Sequence, residues 1–196
     1  MREVSVAADR LERWLAGFSA RHGATQMSAG EETVELAGAD GARAWVAVPF
    51  PPLTGDLVAH VRQRRRVGVL LVRRGGYAAG VFDGAELVAS KVGAGYVQGG
   101  TKAGGWSQQR YARRRANQAT AAFAEAADVA ARVLGGEQLD ALVAGGDRAA
   151  VRAVLADPRL AHLQPVGPWL EVKDPKHAVL VATEQQFRAV RIRLDP

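Results

Sequence analysis

The stretch VGVLLVRRGGYAAGVFDGAELVASKV, residues 67–92, decides the fold. It holds three apolar runs, Val67 to Val72, Tyr77 to Phe82 and Glu86 to Val92, separated by Gly75-Gly76 and Asp83-Gly84. Short runs rich in β-branched and aromatic residues, bounded by turn dipeptides, predict a three-stranded antiparallel meander. Asp83-Gly84 is the stronger turn signal, because a tight hairpin turn needs residues that tolerate positive φ.

Downstream, Gly93 to Gly105 holds six glycines in 13 positions, against 22 in all 196 residues. Glycine loses too much backbone entropy in a strand or helix for such a segment to be either, so it is expected to be a loop. Trp106 or Ser107 to Leu134 then reads as one long helix, with Ser107 as a plausible N-cap. Tyr111, Ala112, Ala116, Ala119, Phe123, Ala126, Ala130, Val133 and Leu134 recur mostly at steps of three and four, and Gly135-Gly136 ends it. Leu139 to Val143 is expected as a buried strand, and Asp147 to Leu155 as a helix stopping before Pro158. Two further strands are expected at Ala178 to Ala182 and Phe187 to Leu194.

Upstream, Val6, Leu11, Trp14, Leu15 and Phe18 lie at helical spacing and predict an opening helix from Val6 that ends near Gly23. Glu32 to Leu36 and Arg43 to Val48 read as a hairpin around an Ala-Asp-Gly turn, and Gly55 to Arg66 as a short helix. The expected class is therefore α/β or α+β, a mixed sheet with an antiparallel meander and packed helices. Residues 67–196 are expected to form the main unit and 1–66 a helix-and-hairpin extension, together one compact domain.

Composition excludes several chemistries. The chain has no cysteine, which removes disulfides, thiolate metal sites and a cysteine nucleophile. His22, His60, His162 and His177 are scattered without zinc-ligand spacing, so neither metal nor cofactor is expected. An apolar leader and a membrane-length run are both missing, and a cytoplasmic protein is expected.

Charge is distributed unevenly. Between Leu57 and Gln118 stand Arg62, Arg64, Arg65, Arg66, Arg73, Arg74, Lys91, Lys102, Arg110, Arg113, Arg114 and Arg115 against only Asp83 and Glu86, whereas the whole chain is +6. Two basic clusters flanking a glycine-rich loop predict a concentrated positive field of the kind that binds a phosphate backbone.

The loop itself is the candidate site. Glycines let backbone N–H groups approach a ligand, and the segment opens onto a helix N-terminus, where unpaired amides and the helix dipole favour negative charge. It is not a nucleotide P-loop: GYVQGGTK, from Gly95 to Lys102, places threonine before lysine, the reverse of the required order. Ser107 lacks an evident histidine and acid, which disfavours a serine hydrolase. A metal-dependent nuclease would need clustered carboxylates, and Asp83, Glu86 and Asp140 are the candidates at strand ends; such residues at turns are more often turn formers and caps.

The run GGTKAGGWSQQRYARRRANQ, residues 99–118, together with the preceding meander, resembles the middle, GGQ-bearing domain of eukaryotic and archaeal peptide chain release factors. More closely it resembles the VLRF family, the Vms-like release factors that cut peptidyl-tRNA on stalled ribosomes, in its actinobacterial branch. The resemblance covers roughly Val67 to Val143. Where release factors have Gly-Gly-Gln, this chain has Gly104-Gly105-Trp106, and glutamine comes later, at Gln108 in a GxxQ arrangement counted from Gly105, with Gln109 as second choice.

The resemblance implies a release-factor middle-domain, RNase H-like layout and a peptidyl-tRNA hydrolase. Its catalytic residues would be Gly104, Gly105, Gln108 and Gln109. Lys102, Arg110, Arg113, Arg114 and Arg115 would grip phosphates of ribosomal RNA or tRNA. Trp106 would stack on a base or ribose, or pack the helix start onto the core as a hydrophobic staple. The implied partners are the large ribosomal subunit and tRNA, with no membrane and no metal, for a monomeric protein. The competing expectation is a non-catalytic RNA or ribosome binder that uses the same basic face.

Overall fold

The computed structural model describes residues 1–94 and 107–195, and for residues 107–119 the backbone alone. In chain order the elements are β1 (Arg2–Val6), α1 (Leu11–His22), β2 (Thr25–Ala29), β3 (Thr33–Gly38), β4 (Arg43–Ala47), α2 (Leu57–Arg62), β5 (Arg66–Arg73), β6 (Gly76–Asp83) and β7 (Glu86–Ala94). There follow α3 (Ser107–Leu134), β8 (Ala141–Gly146), α4 (Arg148–Leu155), α5 (His177–Phe187) and β9 (Val190–Asp195). The class is mixed α+β, with two separate sheets and packed helices.

The chain forms two compact units, Met1–Arg64 with Gln185–Pro196, and Arg65–Glu184. The first is built on a five-stranded antiparallel sheet of order β1-β9-β4-β3-β2. Val34, Leu36, Ala44, Val46, Val190 and Ile192 alternate with exposed or half-buried residues and point to one face, where Leu11 and Phe18 of α1 cover them. This is the pattern of an antiparallel sheet with one wet side. The hairpin at Ala39 to Gly41 forms as the sequence suggests, with Glu35 opposite Trp45.

Two expectations fail in this unit, and one strand went unread. Val6 lies on β1, and α1 begins only at Leu11 after a short 3-10 turn at Ala8–Arg10. β2, at Thr25–Ala29, is the strand that went unread, since TQMSA is mostly exposed and carries no apolar alternation. The C-terminal strand does not stay with residues 67–184: β9 inserts between β1 and β4, pairing Ile192 with both Val4 and Val46. Its alternation of Val190, Ile192 and Leu194 with Arg191 and Arg193 needs a sheet with one exposed face, which the first unit offers.

The second unit is a four-stranded sheet of order β7-β6-β5-β8, in which β5 pairs antiparallel with β6 and parallel with β8. The meander forms as read. Strands β5 and β6 are buried almost throughout because both faces are covered. On one face Leu70, Val72, Ala79 and Val81 meet Ala126, Ala130 and Leu134 of α3 and Val151 and Val154 of α4. On the other, Gly80 leaves room for α5: a Cβ there would stand 3.0 Å from Leu180 Cδ2.

The apolar run Ala178 to Ala182, expected as a strand, is part of helix α5. Leu180, Thr183 and Phe187 are fully buried while Val181 is 44% exposed, which is helical spacing. A four- or five-residue apolar run carries no period of its own, so helix and strand are indistinguishable at that length.

Candidate functional site

Strands β5, β7 and β8 run in one direction, so their C-terminal ends lie together. The register shows it: Arg73 is opposite Gly76, Gly76 is opposite Ala94, and Val72 is opposite Gly146. The chain leaves β7 at Ala94 on this end and enters α3 at Ser107. In open α/β sheets the carboxyl ends of the strands are where ligands are held.

Tyr77 ties this end together. Its ring fills the space beside Gly93, so that a Cβ on Gly93 would overlap the ring and hydroxyl. The hydroxyl donates to Glu125 Oε1 of α3 at 2.9 Å. Burial, and then the neighbouring Glu125 carboxylate, push the phenol pKa up to about 12. Because α3 meets Tyr77 at Glu125 and Gly68, at the opposite end of β5, through Leu134, the helix runs away from the carboxyl end. Eighteen residues of α3 precede Glu125 in the chain.

A second set of contacts lies beside it. Gly146, at φ 90°, ends β8 against the Val72 carbonyl. Asp147 follows as the N-cap of α4, its Oδ1 accepting from Ala149 N–H at 2.8 Å and Ala150 N–H at 3.2 Å. Trp169 Nε1 donates to the Gly146 carbonyl at 3.1 Å, and the Arg148 guanidinium stands 4.3 Å from the Trp169 ring centroid.

The residues read as the site fall as follows. Lys102, Gly104, Gly105 and Trp106 lie outside the described residues. Gln108, Gln109, Arg110, Arg113, Arg114 and Arg115 are on the backbone of α3, their side chains outside the description, as is the cap assigned to Ser107.

The arginines of the upstream cluster do not gather at one end of β5. Arg66 begins β5 and Arg73 closes it, roughly 23 Å apart at strand rise. Arg66 donates through Nε and Nη2 to Glu137 Oε2 at 2.8 and 2.6 Å, and Arg62 pairs with Glu12 at 2.8 Å. Counting charge along the chain could not reveal that part of the excess is neutralised by distant acids.

The carboxylates of a nuclease reading stand at turns and strand ends. Asp83 and Glu86 face each other across the β6–β7 turn, and Asp140 Oδ2 accepts the Arg66 N–H at 2.6 Å. Among the described residues no group of three or more His, Cys, Asp or Glu is placed to hold a metal ion. Buried His60 is structural: Nδ1 accepts the Thr54 N–H at 3.1 Å and Nε2 donates to the Pro49 carbonyl at 2.9 Å. No helix among the described residues is long and apolar enough to cross a membrane.

The sequence missed Tyr77, Gly93, Trp169 and Arg148 as a group. Tyr77 and Gly93 read as ordinary strand and loop residues, and Trp169 sits in an irregular segment with no periodic signal.

Residues 65–193 match the family model described as Actinobacteria/chloroflexi VLRF1 release factor. The match begins with the second unit and continues into β9, well beyond Val143. No curated protein matches the chain. Among solved structures, the crystal structure of the archaeal translation termination factor aRF1 is similar at 13% identity and a TM-score of 0.41, over 95% of this chain. This chain spans 66% of that one.

Proposed function

Because the chain belongs to the Actinobacteria/chloroflexi VLRF1 release factor family, we propose that it hydrolyses the ester of peptidyl-tRNA on stalled large ribosomal subunits, acting as a cytoplasmic monomer. One observation supports this above others: β7 ends at Ala94 at the carboxyl end of the sheet, beside the packed pair Tyr77 and Gly93, and the glycine-rich residues 95–106 connect it in sequence to α3.

The substrate is an activated ester that the ribosome already orients, so the protein needs only a positioned donor and a positioned water. Gly104 and Gly105 admit the tip into a narrow cavity. Gln108, with Gln109 as the alternative, orients the water through its amide or backbone N–H. Water adds to the ester carbonyl carbon, the bond to the ribose 3′ oxygen breaks, and that oxygen takes a proton, releasing free peptide and tRNA. Lys102, Arg110, Arg113, Arg114 and Arg115 hold RNA phosphates. Trp106 packs or stacks at the helix start.

The test is incubation with purified large subunits carrying a labelled nascent chain on tRNA. Gln108→Ala or Gly105→Ala is expected to stop peptide release with little loss of binding. Normal cleavage by the Gln108→Ala/Gln109→Ala variant would overturn the mechanism. Binding without cleavage by the unsubstituted protein would instead favour a non-catalytic ribosome binder.

A further inference from the structure

We propose that Arg73, Arg74 and Arg148 form a separate RNA-backbone patch beside the root of the glycine-rich segment. It rests on the release-factor reading for its setting, although its chemistry stands on described side chains. Arg73 and Arg74 are exposed on the β5–β6 turn, and Gly76, two residues on, is paired with Ala94, the last residue before segment 95–106. Arg148 is exposed in the first turn of α4.

A chain of contacts links Arg73 to Arg148. A Cβ on Gly146 would lie 3.1 Å from Arg73 Cδ, so the stem of Arg73 passes over the end of β8. The Gly146 carbonyl accepts from Trp169, and the Trp169 ring carries Arg148. Trp169 is a positioning residue here: its indole, fixed by that hydrogen bond, holds the guanidinium outward.

The local charge suits a phosphate chain. An arginine at the first position of a helix stands against the helix dipole, an arrangement that favours an anion over a further cation. Asp147 turns its carboxylate onto α4 amides, and Asp174, next to the Pro175 that lies beside Gly76, pairs with Lys176 at 2.9 Å. Guanidinium groups suit phosphate because their donors form a planar fork. Three such groups at a strand end, a turn and a helix start fit backbone contact rather than base readout.

The experiment measures binding of the full chain to vacant large subunits, to protein-free large-subunit RNA and to deacylated tRNA, between 50 and 200 mM salt. Each lost phosphate contact lowers the salt slope by about 0.7–0.9, so Arg73→Ala/Arg74→Ala/Arg148→Ala should flatten it by about 2–3. Across that salt range the unsubstituted protein should lose about 20- to 40-fold more affinity than the triple variant. Arg73→Lys/Arg74→Lys/Arg148→Lys should retain most of the slope, and Arg74→Ala alone should lose about one contact.

Loss on tRNA assigns the patch to tRNA, and loss on the protein-free ribosomal RNA assigns it to the ribosome. Unchanged slopes on all three probes overturn the proposal. So does a loss seen only on intact subunits, which would mean an acidic protein surface. Peptide release is not the readout, so a protein that never cleaves peptidyl-tRNA would sink the hydrolase reading and leave this result interpretable.

Discussion

The ring of Tyr77 occupies the volume that a side chain on Gly93 would need, and the two residues are paired across β6 and β7. The glycine is therefore required by packing, near the end of the last strand before the candidate site. Gly93→Ala should destabilise the second unit by about 2 kcal/mol, in the range for overpacking a filled core. In a Tyr77→Ala background the added methyl has room, and the cost should shrink by at least about 1 kcal/mol. Urea melts of the four proteins in that cycle decide it; additive costs would mean that the ring and the glycine do not compete.

Tyr77 also makes alkaline stability diagnostic. Its pKa is raised from 10 to about 12 in the folded chain, by burial and by Glu125. The folded state thus holds the proton more tightly than the unfolded chain. The contribution is complete below pH 10 and is lost as pH rises towards 12, where the unfolded phenol ionises first. Tyr77→Phe should cost about 1 kcal/mol at neutral pH, the usual value of such a hydrogen bond. It should also flatten the decline between pH 10 and 12, as thermal melts across that window would show; an unaltered decline would place its origin elsewhere.

Gly146 has a different constraint. At φ 90°, with a Cβ position blocked by the Val72 carbonyl, it has no room for alanine. Gly146→Ala should cost about 2–3 kcal/mol, combining backbone strain with the overlap. Asp147→Ala should cost about 1 kcal/mol through the lost α4 cap alone. Denaturant midpoints of the two variants should therefore differ clearly, and equal midpoints would mean that the backbone relaxes around Gly146 without cost.

The arginines should divide by location. Arg66→Ala, which breaks a half-exposed pair with Glu137, should lower stability by about 1 kcal/mol or less and leave the salt slope of RNA binding unaltered. Arg113→Glu/Arg114→Glu should weaken binding steeply. About four phosphate contacts along α3 would contribute about −3 to the slope, a share of roughly 60-fold in affinity between 50 and 200 mM salt. Filter binding on large subunits separates the two, and equal effects would contradict the assignment of Arg66 to folding.

Much of the second unit was legible locally. The Asp83-Gly84 turn, the apolar runs on either side and the 3.6-residue stripe through Phe123, Ala126 and Ala130 each announce themselves within a few residues. The candidate site was legible as a composition, glycines followed by a basic helix, and as a family resemblance. Its root was not, because Tyr77, Gly93 and Glu125 are ordinary residues until a sheet and a helix bring them together.

What the sequence determined by itself is the meander, the helix after it and the density of glycine between them, since periods and turn residues act over short range. Only the tertiary structure decided that Val190–Asp195 belongs to the first sheet, that Ala178 to Ala182 is helical, and that Arg66 and Arg73 serve opposite ends. Strand partners and ion pairs far apart in the chain leave no local pattern; burial of a whole face and the pairing of distant charges select them.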